Sequence, residues 1–179
     1  MRVMLFLLIV FACGGCSVAA QRASEQTVAA FEVPLLKVED RVAFLAIVRD
    51  AAKAEGGHLD AASDEELQDT GVAIPLAKMS IRAAVWRGSD DNESWAVIMD
   101  QADHLGQVWI MFSRGEDEKM ASRFRVRAMR NIRARWPDIL SLPIIGRHTI
   151  PARSDLLKTP EGYSLNPIAA SKYDSKPED

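Results

Sequence analysis

Residues 94–113, SWAVIMDQADHLGQVWIMFS, contain two nearly continuous apolar runs on either side of a short polar stretch. The runs, 94–100 and 107–113, are rich in β-branched and aromatic residues, which favours strands. The stretch between them is short enough for a hairpin. A third strand is predicted over 78–87, KMSIRAAVWR, because it ends at another cluster of turn residues. The simplest arrangement of the three strands is an antiparallel meander.

Two helices are predicted outside this meander. In residues 39–55, apolar side chains recur every three or four positions, acids open the run and Gly56-Gly57 closes it. In residues 116–136 they recur every four positions and Pro137 follows. Three acids at the start of the second helix and arginines at its end match the helix dipole.

These elements predict an α+β domain over residues 31–137. We expect two layers, with a mainly antiparallel sheet of three or more strands packed by the two long helices. Residues 31–38 contain Pro34, so we interpret them as an edge strand or an extended lead-in and not as a central strand. The four tryptophans are expected in the core, and a ligand pocket is the alternative.

The segments on either side of the domain differ in composition. Residues 16–30 are small and polar, which predicts a flexible tether. Residues 138–179 hold five of the eight prolines together with many apolar residues. We expect this segment to be an extended Pro-rich arm that packs on the domain, with its last residues frayed.

The first residues carry a secretory signal. Arg2 supplies a positive charge, residues 3–12 are apolar, and small residues follow. Ten apolar residues extend about 15 Å as a helix, which is roughly half of the hydrocarbon core of a membrane. This run is therefore too short to span a bilayer.

The sequence Gly14-Gly15-Cys16-Ser17 after the apolar run resembles the lipobox of bacterial lipoprotein precursors. The resemblance implies that residues 1–15 are a signal peptide, and that Cys16 is acylated and becomes the new N-terminus. It also implies a periplasmic protein that is lipid-anchored, with the outer membrane as the expected location. Cys13 departs from the pattern, which prefers an aliphatic residue there. Cleavage before Cys13 and ordinary cleavage after Ala20 are the alternatives.

Several chemistries find no support in the sequence. No cysteine follows Ser17, which excludes a disulfide or a cysteine nucleophile in the mature domain. A net charge of -3 argues against a general nucleic-acid binder. The histidines lack zinc-site spacing, and phosphate-loop and serine-elbow motifs are missing. Asp100, Asp103 and His104 are the nearest approach to a catalytic cluster, and turn chemistry explains them better. We therefore predict no enzyme activity, metal or cofactor.

Charge is segregated along the chain. Residues 114–135 hold eight basic residues against three acidic ones, whereas residues 58–104 hold ten acidic against three basic. The second helix places Arg123, Arg127 and Arg130 on one face, where they can meet an acidic protein or anionic lipid. The alternative is that they pair with the domain's own acids. The acids predicted to contact a partner are Asp90, Asp91 and Glu93.

Together these features predict a non-catalytic periplasmic lipoprotein that binds another protein. One version is an immunity-type inhibitor that neutralises a toxic effector through complementary charge. A structural accessory of an envelope assembly or secretion complex is the first alternative, and an envelope hydrolase is the second.

Overall fold

The computed structural model describes residues 23–63, 80–88, 93–101, 104–146 and 148–174. In chain order the elements are β1 (Thr27–Pro34), α1 (Val38–Ala54), β2 (Gly57–Ala61), β3 (Arg82–Arg87), β4 (Ser94–Gln101), β5 (His104–Ser113), α2 (Glu118–Arg135), β6 (Leu140–Ser141), β7 (Leu156–Thr159) and β8 (Gly162–Leu165). Two short 3-10 helices, Arg153–Asp155 and Pro167–Lys172, flank β7 and β8. The α+β class is confirmed, and both predicted helices form within two residues of their expected bounds.

One mixed sheet joins the strands in the order β2-β3-β4-β5-β1-β6-β8-β7. The predicted meander is confirmed: β4 pairs antiparallel with both β3 and β5, and Ile98 lies opposite Ile110. Within the described ranges, β6 and β8 are the one parallel pair.

The expectation for residues 31–38 is wrong, because β1 lies in the middle of the sheet between β5 and β6. Proline is tolerated because Pro34 is the last residue of the strand, where the missing N–H costs no interior ladder bond. The strand also begins at Thr27, inside the range expected to be a tether, and Ala30 is buried. The alanines of this stretch are too small to show the alternation of apolar and polar side chains that predicts a strand.

The C-terminal segment is also different from the extended arm that we expected. It supplies three strands of the sheet, and β6 joins β1 through the pairs Phe31 with Ser141 and Glu32 with Leu140. The parallel contact between β6 and β8 requires Gly162, since a Cβ atom there would collide with the backbone and side chain of Ser141. Close backbone approach of this kind is a common reason for glycine in a strand.

The main core lies between the two helices and one face of the sheet. Trp95 of β4 stacks on Phe124 of α2 with 5.7 Å between ring centroids, and Phe44 of α1 meets Trp136 edge-on at 6.0 Å. Trp95, Trp109 and Trp136 are buried, as expected for core tryptophans, whereas Trp86 is half-buried. The two helices also contact each other directly.

A smaller core covers the opposite face of β1 and β5 and centres on Ala30, Trp109 and Leu142. It contains the carboxylate of Glu32, which is 4% exposed. Glu32 accepts hydrogen bonds from the Trp109 indole (3.0 Å), the Tyr163 hydroxyl (2.8 Å) and the Arg153 guanidinium. The contacts with Tyr163 and Arg153 join β1 to the C-terminal segment, and the contact with Trp109 joins it to β5.

Replacing Glu32 with Ala should lower the free energy of unfolding by about 3 kcal/mol, because the Arg153 charge and two polar donors lose their buried acceptor. Urea unfolding of the two proteins measures this difference. The matched control is Glu161→Ala, which removes an exposed carboxylate in the turn between β7 and β8 and should cost less than about 0.5 kcal/mol. Equal effects of the two substitutions would contradict the structural role of Glu32.

Candidate functional site

Helix α2 carries the predicted binding arginines, and its position is fixed at its start and along its length. The Asp117 side chain accepts a 3.0 Å hydrogen bond from the backbone N–H of Met120, which caps the first turn. Phe124, Ala128 and Ile132 are fully buried in the main core. The arginines therefore lie on the outward sides of a helix that cannot rotate without exposing this stripe.

Two of the three predicted arginines are engaged by the domain itself. Arg123 contacts the Glu55 carboxylate through Nε at 2.8 Å, and Arg127 contacts it through its terminal nitrogen at 3.0 Å. The Glu55 side chain is 7% exposed and lies at the end of α1. The hydrogen bond from Arg123 lowers the pKa of Glu55, helped by Arg127 and opposed by burial. This cluster joins α1 to α2, as the alternative of internal pairing anticipated.

The third arginine, Arg130, borders a groove between α2 and β1, which we call the arginine groove. Its volume is about 510 Å³. It is lined by Ala29, Phe31, Arg125, Val126, Met129, Arg130 and Arg133. Val126 is 62% exposed although it is apolar. The groove thus combines apolar walls with three guanidinium groups.

The three arginines of the groove contact no carboxylate among the described residues. Arg125 donates a long, 3.5 Å hydrogen bond to the Ser122 hydroxyl, and the Arg133 guanidinium lies 5.4 Å above the Phe31 ring. Arg130 is exposed and makes no ion pair or hydrogen bond within the described ranges. As far as the described residues go, the groove is therefore a positively charged surface without a paired carboxylate.

A second depression, of about 960 Å³, lies at the start of α2. Its lining holds three bases, three acids and one serine, namely Arg87, Glu116, Asp117, Glu118, Lys119, Ser122 and Arg123. Arg87 already contacts Glu93 at 3.0 Å, and Arg123 contacts Glu55. Because its charges are largely balanced internally, this larger depression selects no partner charge.

Of the three acids predicted to contact a partner, Glu93 is the one within the described residues. Asp90 and Asp91 lie outside the described residues, as does Cys16. Glu93 is buried and accepts hydrogen bonds from the Trp95 indole (3.1 Å) and the Glu116 backbone N–H (2.6 Å). Its carboxylate holds the residues that lead into α2. Because it is buried there, Glu93 does not belong to the candidate binding surface.

Asp100 serves a structural ion pair. Its two oxygens accept hydrogen bonds from the Arg41 guanidinium at 2.9 and 3.0 Å, and one of them also accepts from the Ile81 backbone N–H. Burial raises the pKa of Asp100, while Arg41 and the backbone donors oppose the rise. Asp103 lies outside the described residues. The pair joins α1 to β4 and leaves Asp100 without an open site for catalysis.

The groove includes residues that the arginine spacing alone did not identify, namely Arg125, Val126 and Arg133. A signal was present in the sequence: Val126 interrupts the polar side of an otherwise amphipathic helix. Within the described residues, no group of three or more His, Cys, Asp or Glu side chains is placed to hold a metal ion. In the same residues, no helix is long and apolar enough to cross a membrane.

Comparison with protein-family models, with curated proteins and with solved structures gives no match. The function must therefore be inferred from the residues of the chain itself.

Glu55→Gln should lower the free energy of unfolding at pH 7 by about 1 kcal/mol, because the ion pairs with Arg123 and Arg127 lose their charge. The folded-state pKa of Glu55 lies below its ordinary value of 4.5. The stabilisation is therefore complete above pH 4.5 and is lost as the pH falls through the folded-state pKa.

Urea unfolding between pH 3 and 7 tests this dependence. The difference between the wild type and Glu55→Gln should narrow below pH 4.5. Asp50→Asn, which neutralises an exposed acid on α1, is the control and should leave stability nearly unchanged at pH 7. If the difference in unfolding free energy between the wild type and Glu55→Gln stays constant over the whole pH range, the ionic explanation is refuted.

Proposed function

We propose that the chain is a bacterial lipoprotein, acylated at Cys16 and held at the periplasmic side of the outer membrane, whose folded domain binds another protein without catalysis. The N-terminal pattern of a charged start, a short apolar run and small residues before Cys16 supports the anchor. A lipid chain alone gives weak, reversible membrane binding, and multiple acylation gives a stable anchor.

The arginine groove is the observation that carries the binding proposal. A concave site with apolar walls and a few charged groups is characteristic of binding sites. Arginine is enriched at protein interfaces because its planar guanidinium binds carboxylates in a bidentate manner. Here Arg125, Arg130 and Arg133 surround Val126 and face no acid of the described chain.

Within this function, an immunity-type inhibitor is the version we favour. Such a protein must capture an incoming effector before it acts, and uncompensated charge accelerates capture by steering the encounter. The accessory role in an envelope complex uses the same kind of surface with several partners. The hydrolase alternative gains nothing from Asp100, since Arg41 occupies its carboxylate.

Chemical crosslinking of the full-length chain in its native envelope tests this proposal. The proteins captured with the chain are quantified by mass spectrometry. We expect one dominant protein in roughly stoichiometric amount, because an inhibitor binds a single cognate target. Several envelope-complex subunits in comparable amounts would replace the inhibitor with the accessory role, and the absence of any enriched protein would refute protein binding.

Two controls separate the anchor from the binding domain. An unrelated domain fused to residues 1–22 of this chain reports proteins that are captured through membrane proximity alone. Cys16→Ala should remove the acyl group from the chain, because the acylated thiol is lost, and metabolic labelling with a fatty-acid analogue measures this. An acyl group that persists on Cys16→Ala would contradict acylation at Cys16.

A further inference from the structure

We propose that the arginine groove receives an acidic segment of the partner protein, with an apolar side chain in the groove and carboxylates on Arg125, Arg130 and Arg133. This inference rests on the proposed function and names the chemistry of the segment that is bound.

The arginines of α2 have different surroundings on the two sides of the helix. On the side that faces α1, Arg123 and Arg127 contact Glu55, and Arg135 lies 3.7 Å from Asp40. On the side that faces β1, the three arginines of the groove contact no described carboxylate. Among the described residues, the arginines of α2 thus have acidic partners where the helix meets α1 and none at the groove.

Arginines on one helix that lack acidic partners repel one another. Arg130 and Arg133 are three positions apart, a spacing at which like charges are neighbours and repel. Carboxylates placed between them relieve this repulsion and form charge-assisted hydrogen bonds. A partner with carboxylates at this position therefore gains binding energy that a neutral or basic partner does not gain.

The apolar residues of the groove specify a second element of the partner. Phe31, Val126 and Met129 line the depression, whose volume lies in the range of pockets that enclose small ligands. A projecting apolar side chain can fill such a depression. A flat lipid surface meets protruding residues more readily than the floor of a groove, so the shape favours a protein segment over a membrane.

The groove is also largely preformed. The Phe31 ring meets Phe112 of the main core edge-on, with ring centroids 6.4 Å apart, and Arg133 lies over the same ring. Met129 is buried to 6% exposure. Side chains held in this way lose little entropy on binding, which leaves more of the contact energy for affinity.

The test places a photoreactive benzoylphenylalanine at Val126 of the full-length chain in its native envelope. Val42, which is 66% exposed on α1, receives the same group as a matched control. We expect Val126 to crosslink to a protein segment that contains at least two acidic residues beside an apolar one, and Val42 not to crosslink to that segment. A crosslink from Val126 to phospholipid, to a segment without acids or to nothing overturns the proposal.

A charge reversal tests the arginines in the same experiment. In the chain that carries benzoylphenylalanine at position 126, Arg130→Glu should reduce the crosslink yield about tenfold or more, since a carboxylate then faces the carboxylates of the partner. Arg49→Glu reverses an exposed arginine on α1 and should leave the yield within about twofold. Equal yields for both reversals would overturn the role of the groove arginines.

Failure of this inference differs from failure of the proposed function. If chemical crosslinking captures one dominant protein but Val126 does not contact it, the function stands and the groove is not its binding site. If neither method captures a protein, the proposed function fails and the inference fails with it. Urea unfolding of Arg130→Glu verifies that loss of the crosslink is not loss of the fold.

Discussion

The buried carboxylate of Glu32 joins β1 to the C-terminal segment, which supplies β6, β7 and β8. Its strand, β1, pairs extensively with β5 on one side but with only the two residues of β6 on the other. Hydrogen bonds from Tyr163 and Arg153 therefore add to the attachment of the C-terminal segment, while the bond from Trp109 links Glu32 to β5. A buried anion is costly unless it is paired, and here a cation and two neutral donors satisfy it. The pKa of Tyr163 is raised by burial and by Glu32, so its hydroxyl stays a donor.

The opposite face of β1 connects this arrangement to the candidate site. Phe31 and Val33 lie on the helix side of the strand, where they support α2. The buried stripe of α2 sets the rotation of the helix, and the positions of Glu55 and Asp40 then decide which arginines are neutralised. The arginine groove lies on the side of α2 where no acid among the described residues pairs with an arginine. The packing of α2 on the core thus decides which arginines are available to bind a partner.

The sequence predicted the parts of the fold that have strong local periodicity, namely both long helices and the hairpin over 94–113. It did not predict β6, β7 and β8, because strands of two to four residues carry almost no pattern and depend on distant partners. Pro34 misled the placement of β1. For the site, the spacing grouped Arg123, Arg127 and Arg130, whereas in the structure Arg123 and Arg127 contact Glu55 and Arg130 lines the groove. The pairing of Arg127 with Glu55, 72 residues away, could not be predicted from local spacing.

Hydroxyl-radical footprinting of the full-length chain, free and bound to the crosslinked partner, tests whether the arginine groove binds that partner. Val126 should lose reactivity in the complex, while Leu36, Leu157 and Ile168, which are exposed elsewhere on the chain, should keep theirs. Protection of any of those three residues with Val126 unchanged would show that the binding site lies on another surface.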